Sequence, residues 1–448
     1  MPQLSERFEE SEPSAIRLAQ QLFDKRARAN GNLSAINVAI GDISSPTHPK
    51  IMERMHNLGA DGSPFRDGVV RYGKTVGEDE ARQAYLKLIE ASGGDISGLH
   101  AQTTNGGTGA MIQMMKGCLN GKPLLGIEPL YANYFDIARD FGKRVITTRR
   151  QLQECGKFTT PDMAEIDELM KKHNPGAVLT IPADNPTGQF MPQEVLEEIA
   201  KLCVKHDTWL ASDEAYRGLH YTDDSISSIW NISEDSVPGI SGRRLGIESA
   251  SKGFNYCGGR SGALVTDNEL FHQKSVDNNT AYLCANVTAQ YAIGALAHES
   301  TEDIRDFQNA QCAHYREIMA MVTDGIRAKM PDAIMSNPDA AIYSVVDFRN
   351  FPDFNSEDFV HFCATRGVIN IDGEGKTLLA APMQGFYKER PGEKNPGDDQ
   401  IRIAHVLSDE EMAFVPELLT KLFEQYKYYA LSTRGSVGDA VDTRVSTT

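Results

Sequence analysis

Residues 249–262 read SASKGFNYCGGRSG, and the rest of the chain can be understood from this stretch. It follows an apolar run at residues 244–247 that predicts a short buried strand. Two serines precede Lys252, and Arg260 lies inside a Gly-x-Arg-x-Gly frame. Because the neighbours of Lys252 are small, we expect its amine to be open to a large binding partner.

These residue types indicate a particular chemistry. Lysine forms Schiff bases with carbonyl compounds, and arginine can hold a phosphate by a bidentate fork. We therefore interpret the stretch as a lysine joined to an aldehyde cofactor that carries a phosphate, which describes pyridoxal phosphate. A strand, a glycine-rich turn and ordinary surface charges remain the alternative, because short motifs also occur by chance.

Three further segments upstream combine a predicted strand with a polar loop. Residues 104–110 read TNGGTGA before an apolar helix, and such a loop presents backbone N–H groups to an anion. Residues 184–188 read DNPTG after the predicted strand at residues 176–182, and residues 208–216 read TWLASDEAY. This recurrence predicts an α/β fold with ligands at the carboxyl ends of the strands.

In this order, the motifs resemble the pyridoxal-phosphate aminotransferases of fold type I, the aspartate aminotransferase superfamily. The resemblance extends from about residue 41 to residue 402. It implies a large domain with a mostly parallel sheet sandwiched by helices, plus a smaller α+β domain. We expect an N-terminal arm with part of the small domain in residues 1–50, the large cofactor-binding domain in 51–310, the small domain in 311–430 and a disordered tail in 431–448.

The resemblance also implies roles for individual residues. Lys252 would carry the cofactor as a Schiff base and move protons, Asp213 would keep the pyridine nitrogen protonated, and Tyr216 would bind the phenolic oxygen. Tyr134 would lie behind Asp213, and Gly106 stands where many relatives have a serine. The other cofactor contacts would be Gly107, Thr108, the stacking Tyr131, Asn185, Ser249, Ser251, Arg260 and Tyr72 of a partner subunit.

Arg402 interrupts the apolar strand predicted at residues 400–404, where a charge needs an anion. The resemblance implies that this anion is the substrate α-carboxylate, bound with Asn185 and near Gly41; a protein carboxylate and a plain turn glycine are the alternatives. Aspartate-specific relatives prefer tryptophan at the position of Tyr131, so aspartate is not assumed as substrate. Exposed Arg66 or Arg71 could bind a distal carboxylate, which leaves substrate choice open.

Composition limits the other classes of function. A chain of 448 residues, 40% hydrophobic and 24% charged, predicts a soluble protein with more than one domain. A net charge of −17 argues against nucleic-acid binding. The seven cysteines form no zinc or redox pattern, and no apolar run is long enough to cross a membrane. We therefore expect a cytoplasmic protein without metal.

The expected activity is transfer of an amino group from an L-amino acid to a 2-oxo acid by ping-pong chemistry, in a homodimer with active sites at the interface. A pyridoxal-phosphate lyase, synthase or racemase would use the same residues, because the pocket decides which bond breaks. A non-catalytic cofactor-binding regulator is a further alternative. A nicotinamide enzyme is disfavoured, since no Gly-x-Gly-x-x-Gly follows the first predicted strand.

Overall fold

The computed structural model describes residues 2–9, 13–222 and 227–441, and of residues 432–441 only the backbone. The strands of these ranges are β1 Leu33–Asn37, β2 His100–Asn105, β3 Leu124–Glu128, β4 Val145–Arg149, β5 Ala177–Thr180, β6 Trp209–Asp213, β7 Arg244–Ser249, β8 Ser261–Thr266, β9 Ile334–Met335, β10 Tyr343–Asp347, β11 Ile369–Ile371, β12 Glu374–Leu379, β13 Ala381–Pro382 and β14 Gln400–Ala404.

The α-helices of the same ranges are α1 Glu6–Glu9, α2 Ala15–Ala29, α3 Pro49–His56, α4 Asp79–Ala91, α5 Gly106–Cys118, α6 Asn133–Asp140, α7 Met163–His173, α8 Gln193–Lys205, α9 Ala250–Gly253, α10 Glu269–Asn279, α11 Val287–Ile293, α12 Thr301–Lys329, α13 Ser356–Thr365, α14 Asp409–Ala413 and α15 Val415–Val441.

The largest sheet has seven strands in the order β2-β8-β7-β6-β5-β3-β4. The pairs from β7 through β6, β5 and β3 to β4 are parallel, and β8 is antiparallel to β7 and β2. Parallel strands need cover on both faces. Along β8, Ala263 and Val265 belong to one buried cluster while Leu264 belongs to another, as alternation across a covered sheet requires. The predicted α/β class is confirmed.

Two smaller sheets lie near the chain ends, with strand orders β13-β14-β10-β9 and β1-β12-β11. The N-terminal residues Phe23 and Val38 share one buried cluster with Phe359 and Leu422, far along the chain. This cluster agrees with an N-terminal arm that joins a C-terminal α+β unit. The proposed boundaries at residues 50, 310 and 430 stay predictions.

One predicted helix start differs in the structure, and the start of a second helix shows how a cap is chosen. Helix α5 begins at Gly106 and not at residue 111, so the glycine-rich loop forms its first turn. The N-cap of α13 is Asn355, whose side chain accepts from the Asp358 N–H, while the hydroxyl of Ser356 donates to the Gly397 carbonyl. Two adjacent polar residues could each cap this helix, and the packing of Ser356 decides between them.

Helix α15 ends at Val441, and residues 442–448 lie outside the described residues. The disordered tail expected from residue 431 stays a prediction. Within the described ranges, the helices lack the combination of length and apolar character that crossing a bilayer requires.

Candidate active site

Two adjoining cavities open where β5, β6 and β7 end, and four lining residues are common to both. The deeper cavity has a volume of about 160 Å³ and the outer one about 790 Å³. The deeper cavity is lined by Gly107, Thr108, Tyr131, Asn185, Asp213, Tyr216, Ser249, Ser251, Lys252 and Arg260. These are all of the predicted cofactor residues except Tyr72.

The sheet explains why these residues meet. Asp213 is the last residue of β6 and Ser249 the last of β7, and the two strands are parallel neighbours. Asn185 follows β5 on the other side of β6. The carboxyl ends of parallel strands are the usual place for ligands in open α/β sheets. Residues far apart in the sequence are thus brought together by strand order.

One end of the deeper cavity carries donors for an anion. The Ser249 hydroxyl donates to the Ser251 hydroxyl over 3.0 Å, and Thr108 and the Arg260 guanidinium line the same cavity. Gly106 has a φ of +70°, and a Cβ there would lie 2.4 Å from Arg260 Nη2. The glycine that replaces the expected serine therefore makes room for the guanidinium against the loop.

The opposite part of the cavity holds a buried carboxyl group, Asp213. Burial raises its pKa to about 6, while the Tyr134 hydroxyl, which donates to Oδ2 over 2.8 Å, and the Ala215 N–H lower it. A carboxyl group that binds a proton this readily can share one with a basic ring nitrogen. Tyr134 occupies the predicted position behind Asp213.

Lys252 lines both cavities, and Asp213, Asn185 and Arg260 line the deeper one with it. Nζ donates to the Gly41 carbonyl and lies 3.4 Å from Cys257 Sγ. Sequence reasoning missed Cys257, because a cysteine in a glycine-rich turn carries no signal of its contact with a lysine.

Arg402 lies on β14 and is buried. Nη1 donates to Asn185 Oδ1 over 2.8 Å and Nη2 to the Ala39 carbonyl over 2.7 Å, whereas the buried Nε has no protein partner. No carboxylate in the described part of the chain forms an ion pair with Arg402. A buried cation with an unused N–H is a site for an external anion, since such groups rarely stay unpaired.

A chain of hydrogen bonds leads from Asn185 to a residue that sequence reasoning missed, Tyr343. Asn185 Nδ2 donates to the Tyr216 hydroxyl over 3.2 Å, and the two hydroxyl oxygens of Tyr216 and Tyr343 are 2.9 Å apart. Burial raises the pKa of Tyr216 well above its ordinary value, so Tyr216 stays protonated. A tyrosine in an apolar strand indicates core packing, and only the pairing of β10 with β14 brings Tyr343 to Arg402.

The remaining predicted residues lie as follows. Gly41 lines the outer cavity. Tyr72 is 81% exposed and lines a separate groove, so it contacts neither cavity of its own chain. Arg66 and Arg71 are exposed and pair with nearby aspartates.

Comparison with known proteins agrees with this arrangement. The family model for aminotransferase class I and II matches residues 34–384. The chain belongs to the class I and II aminotransferases. It is therefore a transferase, an amino-acid transaminase, and members of its family generally use pyridoxal phosphate.

The relatives of this aminotransferase are named for different substrates. It is 25% identical to the aspartate/prephenate aminotransferase of Thermus thermophilus over 347 residues, which cover 77% of this chain and 84% of that enzyme. It is 30% identical to kynurenine–oxoglutarate transaminase 3 of Bos taurus over 337 residues, 70% of each chain. The solved N-succinyldiaminopimelate aminotransferase of Mycobacterium tuberculosis has a TM-score of 0.76 at 19% identity, covering 94% of this chain and 100% of that one. The structural likeness shows the fold.

Proposed function

We propose that this aminotransferase moves an amino group from an L-amino acid to a 2-oxo acid with pyridoxal phosphate held at Lys252. The observation that carries the proposal is that Lys252 lines both cavities. Lys252 lines the deeper cavity together with the buried Asp213, two serine hydroxyls and Arg260, and it also lines the outer cavity, which includes Arg402.

The donor set of the deeper cavity fits this cofactor. Thr108, Ser249, Ser251 and Arg260 would hold the phosphate, because hydroxyls and a guanidinium are suitable donors to phosphate oxygens. Asp213 would hold the protonated ring nitrogen.

The rest of the ring would meet three further residues. Tyr131 would lie against a ring face, and Asn185 with Tyr216 would bind the phenolic oxygen. When bound, the cofactor supplies an aldehyde that condenses with amines and a ring that delocalises the electrons left at the substrate Cα.

The protein's own groups then do the rest. Arg402 and Asn185 bind and orient the substrate carboxylate, so that the Cα–H bond faces Lys252. Lys252 Nζ would remove the proton from the substrate Cα as a base and deliver it to the former aldehyde carbon of the cofactor as an acid, while Asp213 would retain the proton on the ring nitrogen. Because donor and acceptor use the same site in turn, the kinetics are ping-pong.

We also propose a homodimer in which Tyr72 contacts the phosphate end of the partner's site. The Gly73 N–H donates to Cys284 Sγ over 3.4 Å, which brings the exposed Tyr72 next to the segment of Tyr282 and Leu283. Exposed apolar side chains grouped in this way are typical of an interaction surface. A cytoplasmic location is part of the same proposal, supported by the absence of a disulfide among the seven cysteines, which all lie in the described ranges.

The test is a screen of amino donors, including aspartate, kynurenine and valine, against 2-oxoglutarate and pyruvate. We expect the donor's 2-oxo acid to form only when an acceptor is present, without ammonia, and the Lys252→Ala protein to be inactive. Release of ammonia or 2-oxo acid without an acceptor would instead establish a lyase. Inversion at Cα without amino transfer would establish a racemase.

A further inference from the structure

Tyr343 makes two different contacts inside the active site. It is the first residue of β10, is buried, and pairs with Ala404 of β14. In an antiparallel pair, the residue diagonal to Tyr343 on the same face is Arg402. The ring of Tyr343 accordingly lies 4.2 Å from the Arg402 guanidinium carbon, and its hydroxyl oxygen lies 2.9 Å from that of Tyr216.

The ring contact supports Arg402 without neutralising it. Phe386 provides a second ring 5.0 Å from the same guanidinium carbon. Aromatic rings attract a cation through their faces, but they offer no carboxylate that would compete for the N–H groups. In the described ranges no carboxylate therefore competes for the guanidinium of the buried Arg402, whose Nε has no protein partner.

The contact between the Tyr343 and Tyr216 hydroxyls bears on where the Tyr216 hydroxyl donates its proton. Asn185 Nδ2 donates to the Tyr216 oxygen. If the Tyr343 hydroxyl also donates to the Tyr216 oxygen, that oxygen accepts two hydrogen bonds. The hydroxyl proton of Tyr216 is then left for an acceptor in the deeper cavity, which Tyr216 lines. The phenolic oxygen of the cofactor is such an acceptor.

Gly41 gives independent support for a fixed Tyr343 hydroxyl. A Cβ at Gly41 would lie 2.4 Å from that hydroxyl oxygen, but 3.4 Å from the ring carbon that bears it and 3.4 Å from Lys252 Nζ. The first distance is a clash and the other two are ordinary contacts. The hydroxyl of Tyr343 alone therefore excludes a side chain at Gly41.

We infer that Tyr343 is a positioning residue that couples the carboxylate site at Arg402 to the cofactor-oxygen site at Tyr216. Its ring holds the guanidinium, and its hydroxyl sets the Tyr216 proton and requires glycine at position 41. The inference rests on the proposed function, because it assigns a cofactor oxygen as the acceptor of that proton.

Two substitutions separate the ring from the hydroxyl. Tyr343→Phe keeps the ring, so the Kd of a 2-oxo acid for the aldehyde-loaded enzyme should stay within about twofold of the wild-type value. Because the hydroxyl is lost, the single-turnover rate with an amino acid should fall roughly fivefold and the cofactor absorbance should shift. Tyr343→Leu removes the ring as well, and that Kd should rise roughly tenfold. Equal changes in Kd for the two variants, or unchanged rate and absorbance in Tyr343→Phe, would overturn the inference.

A double-mutant cycle tests the fit between Tyr343 and Gly41. Gly41→Ala should lower the single-turnover rate roughly thirtyfold in the wild-type background, because the added methyl group displaces the Tyr343 hydroxyl from its contact with Tyr216. In the Tyr343→Phe background the same change should cost less than about threefold, since the clashing oxygen is gone. Gly31→Ala, whose Cβ would meet nothing within 4 Å, is the matched control.

Each outcome of the cycle has one meaning. Equal losses of single-turnover rate from Gly41→Ala in both backgrounds would refute the fit between Tyr343 and Gly41. Cofactor content and thermal melting of all four proteins show whether a loss of rate reflects misfolding. A wild-type protein that binds the cofactor but transfers no amino group would refute the proposed function instead. The role of Tyr343 alone would be refuted if the wild-type protein is active, Tyr343→Phe and Tyr343→Leu change the Kd equally, and Tyr343→Phe does not reduce the effect of Gly41→Ala.

Discussion

Asp213 is a site residue whose ionised form is disfavoured by burial. Its pKa is raised from 3.8 to about 6, because the ionised carboxylate is poorly solvated at the end of β6. A cationic ring nitrogen would remove this penalty. The same group is therefore unfavourable without the cofactor and useful with it.

This raised pKa predicts a pH-dependent stability. Between about pH 4 and pH 6, Asp213 holds a proton in the folded state that it has lost in the unfolded state. The contribution of Asp213 to the free energy of unfolding is therefore complete below pH 4 and declines as pH rises to 6. Asp213→Asn should lack this decline, which amounts to about 3 kcal/mol. Urea denaturation of both cofactor-free proteins at pH 4 and pH 7 measures it, and identical pH dependence would contradict the prediction.

Arg402 gives a prediction about carboxylate binding. Arg402→Ala removes a charged donor and should weaken binding of 2-oxo acids roughly thirtyfold while the cofactor absorbance is retained. Calorimetry with the cofactor-loaded protein measures the affinity. Lys274→Ala, which removes an exposed lysine paired with Asp277 on α10, is the control and should change nothing. An Arg402→Ala protein with wild-type affinity would mean that the carboxylate binds elsewhere.

Single residues were predictable where a motif surrounds them. Lys252, Asp213 and Asn185 each lie in a loop whose neighbours mark it, and the deeper cavity contains all three. Tyr343 and Cys257 were not predictable, because their importance comes from contacts with Arg402 and Lys252 that the local sequence does not encode.

At the scale of elements, a buried ion network ties β6 and β7 together behind the site. The Arg217 guanidinium donates to both carboxylate oxygens of Glu248 over 2.7 and 3.0 Å, and one of its nitrogens lies 3.4 Å from Glu214. Burial raises the pKa of Glu214 to about 7 in spite of Arg217. The network therefore keeps two acidic groups next to strands that carry the site.

Arg217→Met should destabilise the fold at neutral pH by about 3–5 kcal/mol, because it leaves two buried carboxylates without their cation. Lys421→Met breaks an exposed pair with Glu417 on α15 and should cost less than about 0.5 kcal/mol. Urea unfolding of the two variants measures the difference. Similar costs for both would mean that the buried network contributes no more than a surface pair.

Several strands of the large sheet followed from short apolar runs, but the order of the strands did not. β4 and β5 are consecutive in the chain, yet β3 lies between them. β8 joins the sheet antiparallel to β7 although the strands from β4 to β7 run parallel. Such pairings depend on long-range packing, which a local pattern cannot reveal.

At the scale of the whole molecule, each chain lacks one predicted cofactor contact. Tyr72 is 81% exposed and faces a groove away from both cavities. A symmetric dimer would bring the Tyr72 of one protomer to the site of the other. The sequence could suggest this only through the family resemblance, because no local pattern distinguishes an exposed interface tyrosine from an ordinary one.

Mixed dimers test this arrangement. Tyr72→Ala and Lys252→Ala homodimers should both be impaired, but a heterodimer of the two contains one site with an intact Lys252 and an intact Tyr72. Coexpression should therefore recover roughly a quarter of wild-type activity. If the recovered activity is no greater than the mean of the two homodimers, Tyr72 acts in its own chain's site or in no site. Size-exclusion chromatography shows whether dimers form.

The account depends most on the bond between cofactor and lysine. The direct measurement is reduction of the pyridoxal-phosphate-loaded protein with borohydride, followed by peptide mapping by mass spectrometry. We predict one reduced pyridoxyl-phosphate group per chain, on Lys252, and none in the Lys252→Ala protein. A label on another lysine, or full labelling of Lys252→Ala, would contradict the account.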